Sequence, residues 1–248
     1  MTHVPRGGLP MLQHPAAVRS TEPRPRAKAL LRRYEAACLD ENGHLIEINR
    51  LAPAIPFFES AFSAMARSTL ITTPAGPVAV EDLMPGDLIE TAEDGPQPLL
   101  WKGTLTLYPQ RRDMSGRADR LLRMTADALG YGRPLQDLLL GPDARIWSPR
   151  AADFLRAEDL VDGEAVIELT PIAPVTAFHL CLPGCHTLLA NGVALRSYAP
   201  DPAQTSALSA DLLALFLSMF PNRTLLQEIG PPRRARGPAS PKNGIAAA

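Results

Sequence analysis

The chain has 248 residues, and its 25 Lys and Arg against 26 Asp and Glu give a formal net charge of −1 at pH 7. This balance gives no electrostatic reason to expect a nucleic-acid partner, and the length allows one sizeable domain with flanking segments. The 26 prolines disfavour long helices and favour turns and short strands.

Two features of the sequence concern its cellular location. Residues 1–8 lack the apolar core of a signal peptide, and the longest apolar run, 212–219, is far shorter than the roughly 20 residues of a membrane span. An odd number of cysteines, three, does not make a disulfide framework and fits a reducing compartment. We therefore expect a soluble protein without a membrane span, either cytoplasmic or secreted without a signal peptide.

The N-terminal part contains a tail and a hairpin. Residues 1–27 are rich in Pro and Arg and are predicted to form a flexible tail. Residues 28–63 are predicted to form a hairpin, with its turn at Asp40–Gly43, and then a short helix. Pro56 suits the first position of that helix, and four large apolar residues follow it near helical spacing.

The middle of the chain, residues 64–200, carries short apolar and β-branched runs separated by turn residues. This pattern predicts an all-β domain. The predicted strands are 69–73, 78–80, 88–91, 99–107, 138–140, 145–147, 165–169, 175–182 and 186–190. Residues 108–119 are polar and are predicted to form a surface loop. Trp101 and Trp147 each lie in an apolar strand, so both are expected to be largely buried.

The C-terminal part changes character. Residues 207–228 are predicted to form a helical segment that Ser209 can cap. Apolar residues cover much of this helix, so we expect it to pack against the β domain or a second chain. An unknown protein partner or a homodimer formed through this helix is the predicted interaction. Residues 229–248 are rich in Pro, Arg and Ala and are predicted to be disordered.

Three blocks of the β region resemble Hint (hedgehog/intein) domains, most closely their bacterial branch. They are Thr69–Gly76 with Val80–Ile89, then Leu138–Arg145, and finally Phe178–Leu180 with His186–Val193. The resemblance spans about residues 64–200. It implies an all-β Hint fold, here with a short N-terminal hairpin region and a C-terminal helix, in which the first and last strands meet.

The resemblance also shows which chemical groups are missing. Autoprocessing in the family needs a Cys or Ser that attacks the preceding carbonyl, and a T-x-x-H element that activates the amide. The matching positions hold Ala64, Gly141 and Ala144, which lack those functional groups. Where a splicing intein ends in His-Asn, this chain has Arg196 and Ser197. We therefore predict a non-catalytic scaffold or binding module with no catalytic residue and no cofactor.

Autoprocessing through a serine is the main alternative hypothesis. Ser63 is one residue from the nucleophile position, but strand side chains alternate between faces, so its hydroxyl is expected to point the wrong way. Ser68 is also out of place. If the ancestral geometry survives, Ala64→Cys combined with Gly141→Thr and Ala144→His is expected to restore slow, thiol-stimulated cleavage.

Some residues typical of the family remain. His179 stands where many inteins have Asp, and His186 matches a histidine that assists the last step in splicing relatives. The structural interpretation of His186 is a hydrogen bond across its hairpin. Asn191 with Gly192 is predicted to form a type I′ turn.

A zinc-binding β domain is the second alternative. His179, Cys181, Cys185 and His186 fall within one short stretch, and thiolate and imidazole are ligands that zinc prefers. Their spacing is not that of a C-x-x-C knuckle, and the family hairpin accounts for them without a metal. The main prediction therefore contains no metal site.

Overall fold

The structure is a computed structural model that describes residues 30–109, 119–206, 208–221, 223 and 225–231. The predicted tail at 1–27, most of the predicted loop at 108–119 and most of the predicted tail at 229–248 lie outside these residues. Within the described part, no helix is both long enough and apolar enough to cross a membrane.

Short strands dominate the described residues, as the spacing of turn residues predicts. The strands are β1 (Leu31–Leu39), β2 (Leu45–Pro53), β3 (Met65–Ala66), β4 (Leu70–Thr73), β5 (Gly76–Ala79), β6 (Leu88–Ile89), β7 (Gln97–Pro98), β8 (Trp101–Leu107), β9 (Leu121–Met124), β10 (Leu138–Leu140), β11 (Arg145–Ser148), β12 (Asp153–Arg156), β13 (Val166–Leu169), β14 (Val175–Cys181), β15 (Thr187–Ala190) and β16 (Val193–Arg196). The helices are α1 (Pro56–Ser60), α2 (Pro202–Thr205) and α3 (Ala210–Leu217), with 3-10 turns at Ala157–Leu160 and Leu226–Glu228. The all-β prediction is confirmed, although β3, β7, β9, β12 and β16 lie outside the predicted strands.

Two large sheets organise these strands. One has eight strands in the order β13-β9-β10-β3-β14-β8-β1-β2, and the other has six in the order β12-β11-β16-β15-β4-β5. Strands β6 and β7 form a separate pair. Most neighbours are distant in sequence, so the chain crosses repeatedly between the sheets.

The first hydrophobic core contains side chains from both large sheets. It is mostly aliphatic, with Ile71, Ile146 and Leu195 from the six-stranded sheet and Leu122 and Leu180 from the eight-stranded sheet. These side chains are fully buried. Burying aliphatic surface in this way is the main contribution to the stability of such a β domain.

A second core lies on the other face of the eight-stranded sheet and is rich in aromatic rings. Trp101 stacks on Phe220, with ring centres 4.3 Å apart, and contacts Phe62 edge-on at 5.1 Å. Strand β14 contributes to both cores because side chains alternate along a strand. Its Phe178 points into the first core, whereas Cys181 points into the second.

The N-terminal hairpin is part of the eight-stranded sheet. Strand β1 pairs with β2 on one side and with β8 on the other, where Cys38 lies opposite Trp101. The predicted turn is present, with Gly43 at a positive φ of 81°. Asp40 stabilises the turn by accepting hydrogen bonds from the backbone N–H groups of Asn42 and His44, each at 2.8 Å.

The C-terminal helical segment is shorter than predicted, because α3 ends at Leu217 and a 3-10 turn follows only at Leu226. Ser209 caps α3 as expected, accepting a hydrogen bond from the N–H of Leu212 at 3.3 Å. Phe216 packs against Phe57 of the same chain, with ring centres 4.5 Å apart. The helix thus covers the β domain, and a homodimer stays a prediction.

The two tryptophans differ in burial. Trp101 is 3% exposed, as predicted, and its indole N–H donates to the carbonyl of Met219 at 2.8 Å. Trp147 is only half-buried, so it is less buried than Trp101. The neighbouring Ile146 occupies the first core, so the alternation of strand side chains turns Trp147 away from it, against Phe154.

Candidate functional site

The two ends of the Hint-like region meet on β14. The N–H of Ala64 donates to the carbonyl of Phe178 at 2.9 Å, and the N–H of Tyr198 donates to the carbonyl of Leu180 at 2.8 Å. The two acceptors are separated by one residue, His179. The predicted meeting of the first and last segments is therefore confirmed, and His179 lies at the junction.

Gly141 lies against the peptide group that precedes Ala64. Its N–H donates to the carbonyl of Ala64 at 3.0 Å, and a Cβ at this position would overlap the carbonyl oxygen of Ser63. Ala144 follows in the same turn, where its N–H donates to the carbonyl of Gly141 at 3.1 Å. The positions matched to the activating element thus do lie beside the segment matched to the nucleophile.

This contact corrects one expectation. A threonine at position 141 cannot be accommodated unless the backbone of Ser63 or Gly141 moves, because even a methyl group would collide with a backbone oxygen. Restoring the threonine therefore does not restore an ancestral geometry.

His179 connects both ends of the domain. Its Nδ1 lies 2.8 Å from the carbonyl oxygen of Ser60, and its ring packs edge-on against Tyr198 at 5.1 Å. Burial lowers the pKa of His179 to about 4, although hydrogen bonds with the backbone of Ser60 and Arg196 act in the opposite direction. The ring is consequently neutral at pH 7.

Neither candidate serine hydroxyl contacts a histidine ring within the part of the chain that the structure describes. Ser63 is buried, and its hydroxyl donates to the carbonyl of Glu59 at 2.7 Å. Ser68 is exposed and has a positive φ of 68°, and its N–H donates to the carboxylate of Glu81 at 2.8 Å. Ser68 therefore lies on a surface turn, apart from the junction on β14.

The hairpin of β15 and β16 has the predicted turn. Asn191 and Gly192 have positive φ angles of 47° and 83°, as a type I′ turn requires. The side-chain oxygen of Asn191 also accepts a hydrogen bond from the N–H of Leu70 at 2.8 Å. Asn191 therefore fastens the hairpin to β4.

His186 is fully buried at the start of this hairpin. Its ring nitrogens lie 2.8 Å from the carbonyl oxygen of Gly184 and 3.0 Å from a carboxylate oxygen of Asp94. Ser197 completes the cluster, because its hydroxyl oxygen accepts the N–H of His186 at 2.9 Å. The bond to Ser197 crosses the hairpin but comes from the backbone of His186, whereas the ring bonds to residues outside the hairpin. The role of His186 is therefore structural, but the predicted bond across the hairpin is not made by its ring.

Arg196 lies at the end of β16. Its Nε donates to the sulfur of Cys185 at 2.7 Å, and its guanidinium carbon lies 5.4 Å from the ring centre of Phe154. Burial raises the pKa of the Cys185 thiol, and the nearby Arg196 acts in the opposite direction. Burial also raises the pKa of Cys181, to about 12, so neither thiol is set up as a nucleophile.

The zinc hypothesis does not fit the geometry. Among the residues that the structure describes, no three His, Cys, Asp or Glu side chains come together as a metal site. His179 faces Ser60, Cys181 lies in the second core, and His186 faces Asp94. His179 and Cys181 share one face of β14, whereas Cys185 and His186 follow the turn after it and contact Arg196 and Asp94.

A cleft of about 600 Å³ opens beside this junction. Its walls come from β12, from the end of β16 and the residues that follow it, from α2 and from the C-terminal turn. Both His179 and Arg196 line it. Its volume falls in the range of small-molecule sites in proteins, about 300–1,000 Å³.

Sequence reasoning missed three parts of this site. Asp94 pairs with a histidine that is 92 positions away, and Phe154 lies under Arg196 from a strand that was not predicted. Ser60 comes before the Hint-like region altogether. No local pattern in the sequence predicts contacts between residues so far apart in the chain.

Comparison with known proteins agrees with this arrangement. A model of the Hint domain family matches residues 63–202. The chain belongs to the Hint domain family. The predicted resemblance and the Hint-type fold are thereby confirmed.

Solved structures of Hint-type domains are similar to this chain over about half its length. A bacterial intein-like domain from Clostridium thermocellum is 15% identical, with a TM-score of 0.42, and the match covers 55% of this chain and 99% of that one. The Msm DnaB1 intein splicing domain, solved with bound zinc, is 14% identical, with a TM-score of 0.38 and coverage of 54% and 100%. No curated protein sequence matched the chain.

Proposed function

We propose that this chain is a Hint domain that has lost autoprocessing and serves as a binding or structural module. The observation that carries the proposal is the contact of Gly141 with the Ser63 carbonyl, beside Ala64. The place where a nucleophile and an activating hydroxyl would work is filled by backbone and a methyl group. Ala144, which is 1% exposed, likewise brings a methyl group to the position of the activating imidazole.

The chemistry explains why these losses act together. An acyl shift needs a hydroxyl or thiol to attack the preceding carbonyl and a donor to stabilise the negative charge on oxygen. Position 64 supplies no such group. The neutral ring of His179 contacts the carbonyl of Ser60 instead, three residues upstream of the Ser63 carbonyl.

Intact mass spectrometry of the purified chain, with and without added thiol, tests the proposal. We expect one species of about 26.7 kDa in both samples, and the same migration for Ser63→Ala and Ser68→Ala. Cleavage between residues 60 and 70 that either serine substitution abolishes would establish the alternative, a self-cleaving domain with a serine nucleophile.

A gain-of-function series tests the same point from the other side. Ala64→Cys alone is expected to give little cleavage, because general acid–base assistance contributes roughly 10²–10⁴-fold and position 144 still lacks it. The designed variant combines Ala64→Cys with Ala144→His and keeps Gly141. It is expected to cleave faster than Ala64→Cys alone. Adding Gly141→Thr instead is expected to destabilise the domain by roughly 1–3 kcal/mol through overpacking, measured by urea unfolding.

A further inference from the structure

We infer that the cleft beside β16 binds ligands through a carboxylate group, with Arg196 as the anchoring cation. The inference rests on the proposed function, because it assigns ligand binding to this junction and not the cleavage of a peptide bond. The surroundings of Arg196, the pairing of the other charges and the shape of the cleft support it.

Arg196 is held in place but keeps donors for a ligand. Its Nε is used by Cys185, and its guanidinium lies over Phe154. Among the described residues, Arg196 forms no ion pair with a carboxylate, and its hydrogen bond to Cys185 uses Nε and leaves the two terminal amino groups for a ligand. An arginine held by such a bond and by a cation–π contact presents a planar pair of donors that matches a carboxylate.

Two of the carboxylates that line the cleft are paired with arginines. Asp143 pairs with Arg156 at 2.6 Å, and Asp201 pairs with Arg145 at 3.3 Å. Arg196 is therefore the cation of the cleft that has no carboxylate partner among the described residues. Asp143, Asp153 and Asp201 all line the cleft. Because like charges at close range repel, we expect a doubly charged phosphate to bind more weakly than a singly charged carboxylate.

Apolar surface is available for the rest of the ligand. Phe154 and Tyr198 line one part of the cleft, and Leu226 and Ile229 of the C-terminal segment line another. A few polar groups among apolar walls are typical of small-molecule sites. The ligand class is therefore a carboxylate attached to an apolar body, either a small acid or the C-terminal residue of a peptide.

Titration calorimetry on the full chain, after its intact mass has been verified, tests the inference without any substitution. The probes are phenylacetate, an N-acetylated dipeptide ending in Leu, the C-terminal amide of that dipeptide, and inorganic phosphate. We expect saturable binding of at least one acid in the millimolar range, about tenfold weaker binding of the matching neutral amide, and weaker binding of phosphate. The two acids distinguish a small-molecule ligand from a peptide C-terminus.

Substitutions locate the binding site. Arg196→Gln is expected to reduce acid binding about tenfold, and Arg196→Lys to reduce it less, because lysine keeps the charge but loses the two-point geometry. Arg123→Gln is the matched control, since Arg123 is an exposed arginine paired with Asp137 outside the cleft, and we expect it to leave binding unchanged.

Three outcomes would overturn the inference. They are equal binding of the acid and amide dipeptides, acid binding that survives Arg196→Gln in a folded variant, and no binding of either acid at millimolar concentration. Each of these leaves the intact mass unchanged, so failure of the carboxylate site is distinguishable from failure of the proposed loss of autoprocessing.

Discussion

The two cores of the molecule have different compositions and origins. The core between the sheets is aliphatic and comes from the residues that match the Hint family. The core on the outer face of the eight-stranded sheet is aromatic, and Tyr34, Phe58 and Phe216 reach it from segments outside that match. The family match therefore contains all of the first core but only part of the second.

The largest expected effect comes from the centre of the aromatic core. Trp101→Ala is expected to lower the free energy of unfolding by about 3–5 kcal/mol, because the ring is buried, stacked and hydrogen-bonded. Trp147→Ala is the matched control, and its half-buried ring predicts a loss of roughly 1–2 kcal/mol. Urea unfolding of both variants measures the difference. Equal losses would contradict the assignment of Trp101 to a second core.

A pH effect is expected at the strand shared by both cores. The native pKa of His179, about 4, lies below its ordinary value of 6.5, so below pH 6.5 the unfolded chain binds a proton that the native protein does not. Stability from this residue is therefore present at neutral pH and is lost as the pH falls from 6.5 towards 4. The loss approaches about 3 kcal/mol, because one pKa unit corresponds to about 1.4 kcal/mol.

The measurement compares the pH dependence of unfolding in the native sequence, in His179→Gln and in His44→Gln. We expect His179→Gln to flatten the dependence between pH 6.5 and 4. His44→Gln is the comparison for an exposed histidine. The side chain of His44 is 79% accessible and its ring lies 3.3 Å from a carboxylate oxygen of Asp40, so we expect a smaller change in the dependence than for His179→Gln. The same slope in all three proteins would rule out a neutral buried ring at position 179.

The smallest expected effect comes from the cap of α3 and tests whether the two cores open separately. Ser209→Ala removes the cap of α3 and is expected to cost about 1 kcal/mol, and Ser206→Ala, an exposed serine at the end of α2, less than about 0.5 kcal/mol. Hydrogen exchange should increase in α3 and remain unchanged in β15. An equal increase in β15 would mean that the two cores open as a single unit.

The sequence predicts the architecture better than it predicts the site. Turn residues and β-rich runs were sufficient to predict most strands. The turns at Asn191–Gly192 and Asp40–Gly43 form as their local sequences predict. Length alone does not explain why β9 and β12 were missed, because both have four residues and the predicted β10 has three. The lower burial of Trp147 was not predicted because an apolar strand does not reveal which of its faces meets the core.

The site itself depends on contacts that no local pattern contains. Replacement of the family residues at 64, 141 and 144 was visible in the sequence, but the steric contact that makes Gly141 necessary was not. Likewise, the four predicted zinc ligands are neighbours in sequence, yet His179, Cys185 and His186 each have a different hydrogen-bond partner, namely Ser60, Arg196 and Asp94. Proximity along a chain is weak evidence for a shared site when a strand and a turn intervene.

Strand β14 contributes side chains to both cores, and this has a consequence for the design of shorter fragments of the protein. A fragment cut at the limits of the family match, residues 63–202, would keep the aliphatic core complete. It would also present Trp101, Leu105 and Cys181 to water, because the segments that cover them lie outside those limits. Such apolar patches promote aggregation. In this chain, the segment that matches the family is therefore shorter than the segment needed to cover both cores.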